Sequence, residues 1–456
     1  MKKYDLIVIG SGGGSRVCVP VAQLGYKVAV IEKGKMGGTC LNRGCIPSKM
    51  MIHPSNVARE ILEAKKFSIT AGIRKIDFAK LVARINKSID KESNEIKASY
   101  KGSKNPVLYP YEAKFVADKV LEVNGEKITA DKIIIAAGAR TMIPPIPGLK
   151  GTPFMTSSEA LRNKKIPKNL IVIGGGYIAV ELGNAYGFLG STTHFLVRDN
   201  FIGREDVDVI NEFTKVAKKT HKVYMPVETE KVGYKNKIFS VTIKDKKGKR
   251  KIVKGDGLLV ATGVMANSDL LSLQNTKITT DKRGFISTDD YCETTVKGVY
   301  AIGDVAGKYL FRHSVNFEGE FLQRTLFKEK KKQKIQYPPM PHAIFTYPEI
   351  GSVGATEQEL IEKKIPYAKG MSPYIKSAMG EARLSDHGFV KLLFDKKTKK
   401  LLGAHIVGDE ASTMIHQLIY AMTFNATLDD LLKMIYIHPA LPEIVRNACR
   451  DARRQF

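Results

Sequence analysis

The sequence predicts an α/β fold with two parallel βαβ units followed by an α+β domain. Three observations carry that expectation. Two separate stretches each pass from a short apolar run through a glycine-rich turn into a helix and out to a second strand. Beyond about Tyr337 the pattern changes to alternating strands and amphipathic helices.

Residues 4–9 read as a buried strand, Gly10 to Ser15 as a phosphate-type loop, residues 16–25 as a helix ending at Gly25, and Lys27 to Glu32 as the next strand. Gly10 and Gly12 permit a tight turn and let an anionic group approach the helix N-terminus closely. Glu32 lies 22 positions after Gly10, where a carboxylate can accept from ribose hydroxyls. Ser15 stands where a third Gly or Ala is usual, so the packing there must tolerate a hydroxyl.

The unit recurs at 169–173, Gly174 to Ala179, a helix to Gly190 and a strand from Thr192 to Arg198. Two such units imply two dinucleotides. Gly174 and Gly176 mark the second turn. Here the strand ends in Val197 and Arg198 rather than an acid, with Arg204 six residues on. Arginines pair bidentately with a 2′-phosphate, whereas a carboxylate would repel it. This favours NADPH over NADH at the second site.

Two further strands end in glycine turns, at Gly138 and Gly263, and the proline-rich Ile143–Gly148 reads as a linker. A strand from Gly298 carries Asp304 at its tip, placed to bind a polyol chain.

Composition narrows the class. At 456 residues, with 43% hydrophobic and 26% charged residues, the chain has room for several globular domains. No apolar run approaches the ~18–20 residues that span a bilayer. The net charge of +27 would attract anions. Its lysine runs, Lys244–Lys251 (a hairpin tip) and Lys328–Lys334 (a surface linker), lack the interleaved aromatics of a nucleic-acid platform. With five cysteines, of which only Cys40 and Cys45 are close in sequence, the chain reads as cytoplasmic rather than as a disulfide-stapled secreted scaffold.

Cys40 and Cys45 form the most telling motif, in the run from Gly37 to Lys49. A thiol pair five residues apart can close into a redox-labile ring. Half of a zinc site is the alternative, but no second pair completes four ligands.

With the motif from Gly37 through Cys40, Cys45 and Pro47 to Lys49, and His438-Pro439-Ala440-Leu441-Pro442-Glu443 near the end, the whole chain closely resembles the class I flavoprotein disulfide reductases. These include dihydrolipoamide dehydrogenase, glutathione reductase and mycothione reductase. The resemblance implies Rossmann-like FAD-binding (1–145) and NAD(P)H-binding (146–265) domains, a central domain (266–336) completing the FAD site, and a dimerisation domain (337–456). It further implies a homodimer with the active site shared between subunits.

By the same resemblance, FAD would be held by Gly10, Gly12, Glu32, Gly38, Thr39, Gly138 and Asp304. The nicotinamide nucleotide would be held by Gly174, Gly176, Tyr177, Arg198, Arg204 and Gly263, with Tyr177 covering the nicotinamide pocket. Cys45 would be the charge-transfer thiol and Cys40 the interchange thiol. Lys49 would approach the flavin, paired with Glu181, and His438 would act as acid–base for the other subunit's Cys40, oriented by Glu443. No metal is implied.

The tail after Asn447 lacks an adjacent cysteine pair, which argues against mercuric reductases and large thioredoxin reductases. The expected substrate is a low-molecular-weight thiol disulfide, as for mycothione or glutathione reductase. NAD-dependent oxidation of dihydrolipoamide is the alternative.

Overall fold

In the computed structural model, which describes residues 1–456, the chain is mixed α/β and divides into two compact units. The first is assembled from Met1–Met50, Lys80–Met142 and Gly263–Gln336. Its seven-stranded sheet places Lys2–Ile9 between Val28–Ile31 and Glu126–Ile135, with Val107–Tyr109 beyond the former. These pairs are parallel, and Val299–Ala301 adds to Glu126–Ile135 in the same direction. An antiparallel meander, Ala113–Ala117 and Val120–Val123, completes the sheet.

The apolar runs that looked like buried strands are buried. Leu6, Ile7, Val8, Val28, Ala29, Val30, Ile133, Ile134 and Ile135 are all inaccessible, as strands covered on both faces require. Because the pairing is parallel, Ile9, Ile31, Ile135 and Ala301 finish at one edge. Gly10, Glu32, Gly138 and Asp304 follow those ends, which is where open α/β sheets place ligands.

The second unit comprises Met51–Ala79, Ile143–Thr262 and Tyr337–Phe456. A four-stranded parallel sheet orders Lys222–Tyr224, Thr192–Leu196, Asn169–Ile173 and Gly257–Val260, and shares a core with a three-stranded antiparallel sheet over 227–255. The lysine run at 244–251 is the tip of a hairpin in that sheet. Asp245 accepts from the backbone N–H groups of Lys247 and Lys249 there, and Gly248 takes φ +80°.

The C-terminal stretch builds a five-stranded antiparallel sheet, with Leu401–Val407 between Ile350–Gly354 and Phe389–Asp395. Helices Ala411–Thr423, Leu428–Lys433 and Glu443–Arg453 pack their apolar faces into its core. No helix is long and apolar enough to cross a membrane.

Candidate active site

The first glycine turn has no room for a Cβ at Gly10, Gly13 or Gly14. A Cβ on Gly10 (φ +104°) would lie 2.3 Å from the Ala136 carbonyl oxygen, and one on Gly38 (φ +67°) 2.7 Å from Gly12 Cα. The Gly12–Gly38 approach therefore seats the cysteine-bearing segment directly on the phosphate-type loop. Ser15 satisfies its hydroxyl locally by donating to Gly12 O at 2.9 Å. Glu32 is tied to the same loop, accepting from Ser11 N at 3.0 Å and Ser11 Oγ at 2.8 Å, and from Gly34 N at 2.8 Å.

Cys40 lies in the short helix Gly38–Arg43, and Cys45 is the first residue of the helix Cys45–Glu63. Asn42 pins the segment by donating to Met36 O and Gly38 O; Thr39 is exposed. Both cysteines are free thiols, hydrogen-bonded to one another. The pair is asymmetric. The hydrogen bond from Cys40, helped by the charges of Lys49 and Arg312, lowers the Cys45 thiol to about 7 against the cost of burial. The same bond, with burial, pushes the Cys40 thiol up. Lys49 Nζ donates to Ser48 Oγ at 3.4 Å. Cys18, Cys292 and Cys449 are buried elsewhere.

Asp304 sits in the turn Gly303–Val305, and burial pushes its carboxyl up to about 6. No group of the chain hydrogen-bonds to it. A half-buried carboxyl lacking donors and a glycine-rich turn, both at strand ends of the same sheet, fit the hydroxyl chain and pyrophosphate of a flavin dinucleotide. Gly138 (φ +70°) has open space where a Cβ would stand.

The second turn repeats the first: a Cβ on Gly174 (φ +133°) would lie 2.2 Å from Ala261 O, whereas Gly176 faces open space. Gly263 takes φ +118°. Tyr177 opens the helix Tyr177–Phe188, its hydroxyl donating to Glu205 Oε1 at 2.5 Å. Glu181, buried in the same helix, accepts from Phe345 N at 3.0 Å. Lys49 belongs to the first unit and Glu181 to the second. Arg198 is 87% exposed and gives its Nε to the adjacent Asp199 at 3.0 Å, a pair too exposed to hold it firmly. Arg204 is also exposed.

In the second unit, His438 Nδ1 lies 3.0 and 3.1 Å from the two Glu443 carboxylate oxygens. A carboxylate can only accept, so Nδ1 carries the proton and Nε2 is left as the acceptor. The imidazole is 71% exposed while Glu443 is buried. Burial would raise the Glu443 carboxyl, but His438, the Ala440 N–H and Arg446 hold it below the usual carboxylate range.

This geometry, a thiol pair seated on one glycine turn with a second such turn in the same chain, is shared with a known family. The family model for the pyridine nucleotide-disulphide oxidoreductases matches residues 4–323, and that for their dimerisation domain matches residues 340–449. The chain belongs to this family. The pyridine nucleotide-disulphide oxidoreductases are flavoenzymes that use FAD and a pyridine nucleotide, so this chain is a flavoprotein disulfide oxidoreductase.

It is 32% identical to a mycothione reductase of Mycobacterium tuberculosis, the match covering 99% of this chain and 100% of the relative. It is 34% identical to a dihydrolipoyl dehydrogenase of Cupriavidus necator, covering 98% and 97%. It also resembles the structure of a Cu(II) complex of the HOCl-induced flavoprotein disulfide reductase RclA from Escherichia coli. There the TM-score is 0.87 at 25% identity, covering 99% of each chain.

Sequence reasoning missed several residues that this disulphide oxidoreductase brings to the site. Ser11 bridges Glu32 and Gly37 N. Arg312, first residue of the helix Arg312–Gln323, lies near Gly12 and favours both thiolates. Arg446 is the cationic partner of Glu443. Ser11 lies inside the loop motif and Arg446 stands three positions after Glu443, the spacing of a helical ion pair, but no pattern flags Arg312 as near these groups.

Proposed function

We propose that this enzyme reduces a low-molecular-weight thiol disulfide with NADPH, as a cytoplasmic homodimer whose two active sites are shared between subunits. The hydrogen-bonded Cys40–Cys45 pair, on the segment seated where Gly38 meets Gly12 of the glycine loop, carries the disulfide-exchange part of this reading. One thiol near 7 at a helix N-terminus and one held protonated beside it are what a two-step disulfide exchange needs.

FAD, when bound, supplies the conversion of hydride from the nicotinamide into the two electrons that open the Cys40–Cys45 disulfide. Gly10, Gly12, Glu32, Gly38, Thr39, Gly138 and Asp304 would hold it, with Lys49 and Glu181 paired beside its reacting edge. His438 of the partner subunit takes the Cys40 proton at Nε2, with Glu443 holding the ring in the tautomer that can do so. The Cys40 thiolate attacks one substrate sulfur, forming a mixed disulfide and expelling the first thiol, which receives the proton back. Cys45 then attacks Cys40 Sγ, releases the second thiol and regenerates the internal disulfide. Gly174, Gly176, Tyr177 and Gly263 would bind the nucleotide, with Arg198 and Arg204 on the 2′-phosphate.

The four segments 1–145, 146–265, 266–336 and 337–456 would serve as FAD, nucleotide, central and dimerisation domains. Exposed apolar residues beside His438, Ile435 (98%) and Ile437 (78%), support pairing of subunits there.

Steady-state turnover on a panel of small disulfides and lipoamide, with each nicotinamide, tests the reading. NADPH-linked reduction of a small disulfide is expected. Efficient NADH-linked turnover of lipoamide alone would overturn it. Asp199 favours that second reading, dihydrolipoamide dehydrogenase, because a carboxylate beside Arg198 suits a bare ribose.

Charge reversal at Arg198 and Arg204 should raise the NADPH KM on the order of 10²-fold, as loss of two charge-assisted hydrogen bonds implies. The NADH KM should change little, and equal effects would refute the phosphate clamp.

Asp304→Asn should act in opposite directions on two measurements. It should weaken FAD retention in dialysis, yet raise the Tm of the flavin-free protein near neutral pH. The sign follows from linkage. With its folded value raised to about 6, Asp304 costs stability that is fully felt above that value and relieved as pH falls toward the ordinary ~3.9. The Tm gain should therefore shrink on acidification.

A further inference from the structure

We propose that Glu205 is a positioning residue of the pyridine-nucleotide site, holding Tyr177 in place through a carboxylate that it shares with His342 and Ser352 of the C-terminal sheet. The inference rests on reading the Gly174–Gly176 turn as that site. Tyr177 is the first helical residue after this turn, so its ring stands at the mouth of whatever the turn binds.

The Glu205 carboxylate is 1% exposed. Its Oε1 accepts from Tyr177 OH at 2.5 Å and lies 2.7 Å from His342 Nε2, and its Oε2 accepts from Ser352 Oγ at 2.9 Å. The Tyr177 and His342 rings are stacked, with centroids 5.9 Å apart and planes 15° from parallel. Two donors on one oxygen, with the two rings held near parallel, define a single position for the phenol.

A further layer supports Ser352: His405 Nδ1 lies 3.3 Å from its hydroxyl, while His405 Nε2 lies 3.0 Å from Ala355 O. Burial alone would raise the Glu205 carboxyl, yet His342, Tyr177 and Ser352 hold it low, so it accepts as an anion and its hydrogen bonds are of the stronger kind. Residues of the strands His342–Ile344 and Ile350–Gly354, within the segment matched to the dimerisation domain, thus set an aromatic ring at the nucleotide turn.

Steady-state kinetics of the holoenzyme with NADPH and NADH as the varied substrates test this. Glu205→Gln keeps the shape and removes the charge. It should raise the nucleotide KM about tenfold, the loss of one hydrogen bond to a charged group, and lower kcat by a smaller factor. In a Tyr177→Phe background the same change should add less than about twofold, because the tether is already gone.

If the two effects multiply in full, or if Glu205→Gln lowers Tm without moving KM, the proposal is overturned. Should Glu205→Gln fail to fold, His342→Phe, which keeps a ring but has no donor, carries the test. That partly exposed site removes one donor from Oε1, should raise KM in the same direction, and should lose its effect in the Tyr177→Phe background. Unchanged KM there would overturn the proposal equally. A parent enzyme that saturates with neither nicotinamide would instead sink the reading of the turn itself.

Discussion

Replacing Cys40 with serine is expected to lower disulfide turnover by on the order of 10³-fold or more, because the hydroxyl neither attacks a disulfide at neutral pH nor forms the internal one. Cys45→Ser should be as damaging, since the mixed disulfide on Cys40 would then have no thiolate to resolve it. Nucleotide oxidation with a dye as acceptor, which needs neither sulfur, should survive in both variants. That control separates loss of chemistry from loss of fold. Turnover within tenfold of the parent in either serine variant would remove the thiol pair from the mechanism.

The second large effect is one of stability. Lys391, with no accessible side-chain surface, places Nζ 2.7 Å from Asp206 Oδ1, 2.6 Å from Asp208 Oδ2 and 2.6 Å from Glu357 Oε2. Asp206 is equally inaccessible and also caps the helix Val207–Thr220 through Asp208 N. Lys391→Met leaves Asp206 and Asp208 without their lysine and Glu357 with only the more exposed Lys369, 3.1 Å from its Oε1, and should cost about 3–5 kcal/mol, the usual penalty for breaking a buried ionic cluster from one side. Chemical denaturation of the parent and variant measures it.

The pH dependence is a second readout. Burial would raise Asp206 and Glu357, but in the parent their charged and hydrogen-bonding neighbours hold both below the ordinary range. Their contribution is therefore present above ~4 and lost on acidification through the lower folded values. Without Lys391 the same carboxyls should titrate higher and take up protons on folding. The gap between variant and parent should be widest near neutral pH and should narrow as pH falls. A constant gap would show that the loss is one of packing alone.

Much of the fold was legible because it is written in consecutive residues. The strand expected at 169–173 is the strand observed, and the one expected at 4–9 runs Lys2–Ile9. Apolar runs that end in glycine are readable at short range, and parallel pairing then brings their ends together. The first unit's assembly was not legible. Val299–Ala301 joins Glu126–Ile135 across more than 150 intervening residues, and no local pattern announces a partner so distant. The uncommon Ser15 was visible in the sequence, but that its hydroxyl turns back to Gly12 O was not.

In the candidate site the division is similar. Cys40, Cys45, Glu32 and Asp304 stand out by type and spacing, whereas His438 and Glu443 were marked by the family resemblance, a pair close in sequence as in space. Glu205 and His342 are 137 positions apart, and each alone reads as an ordinary polar residue.

The sequence by itself determined the two glycine-turn units, the thiol pair and the histidine–glutamate pair, since each depends on backbone freedom and chemistry within a few residues. Only the tertiary structure decided which thiol is the more acidic, that Asp304 lacks a donor, and that Glu205 and Lys391 are buried among their partners. Those properties depend on desolvation and on charges carried by distant segments, and neither exists until the elements have packed.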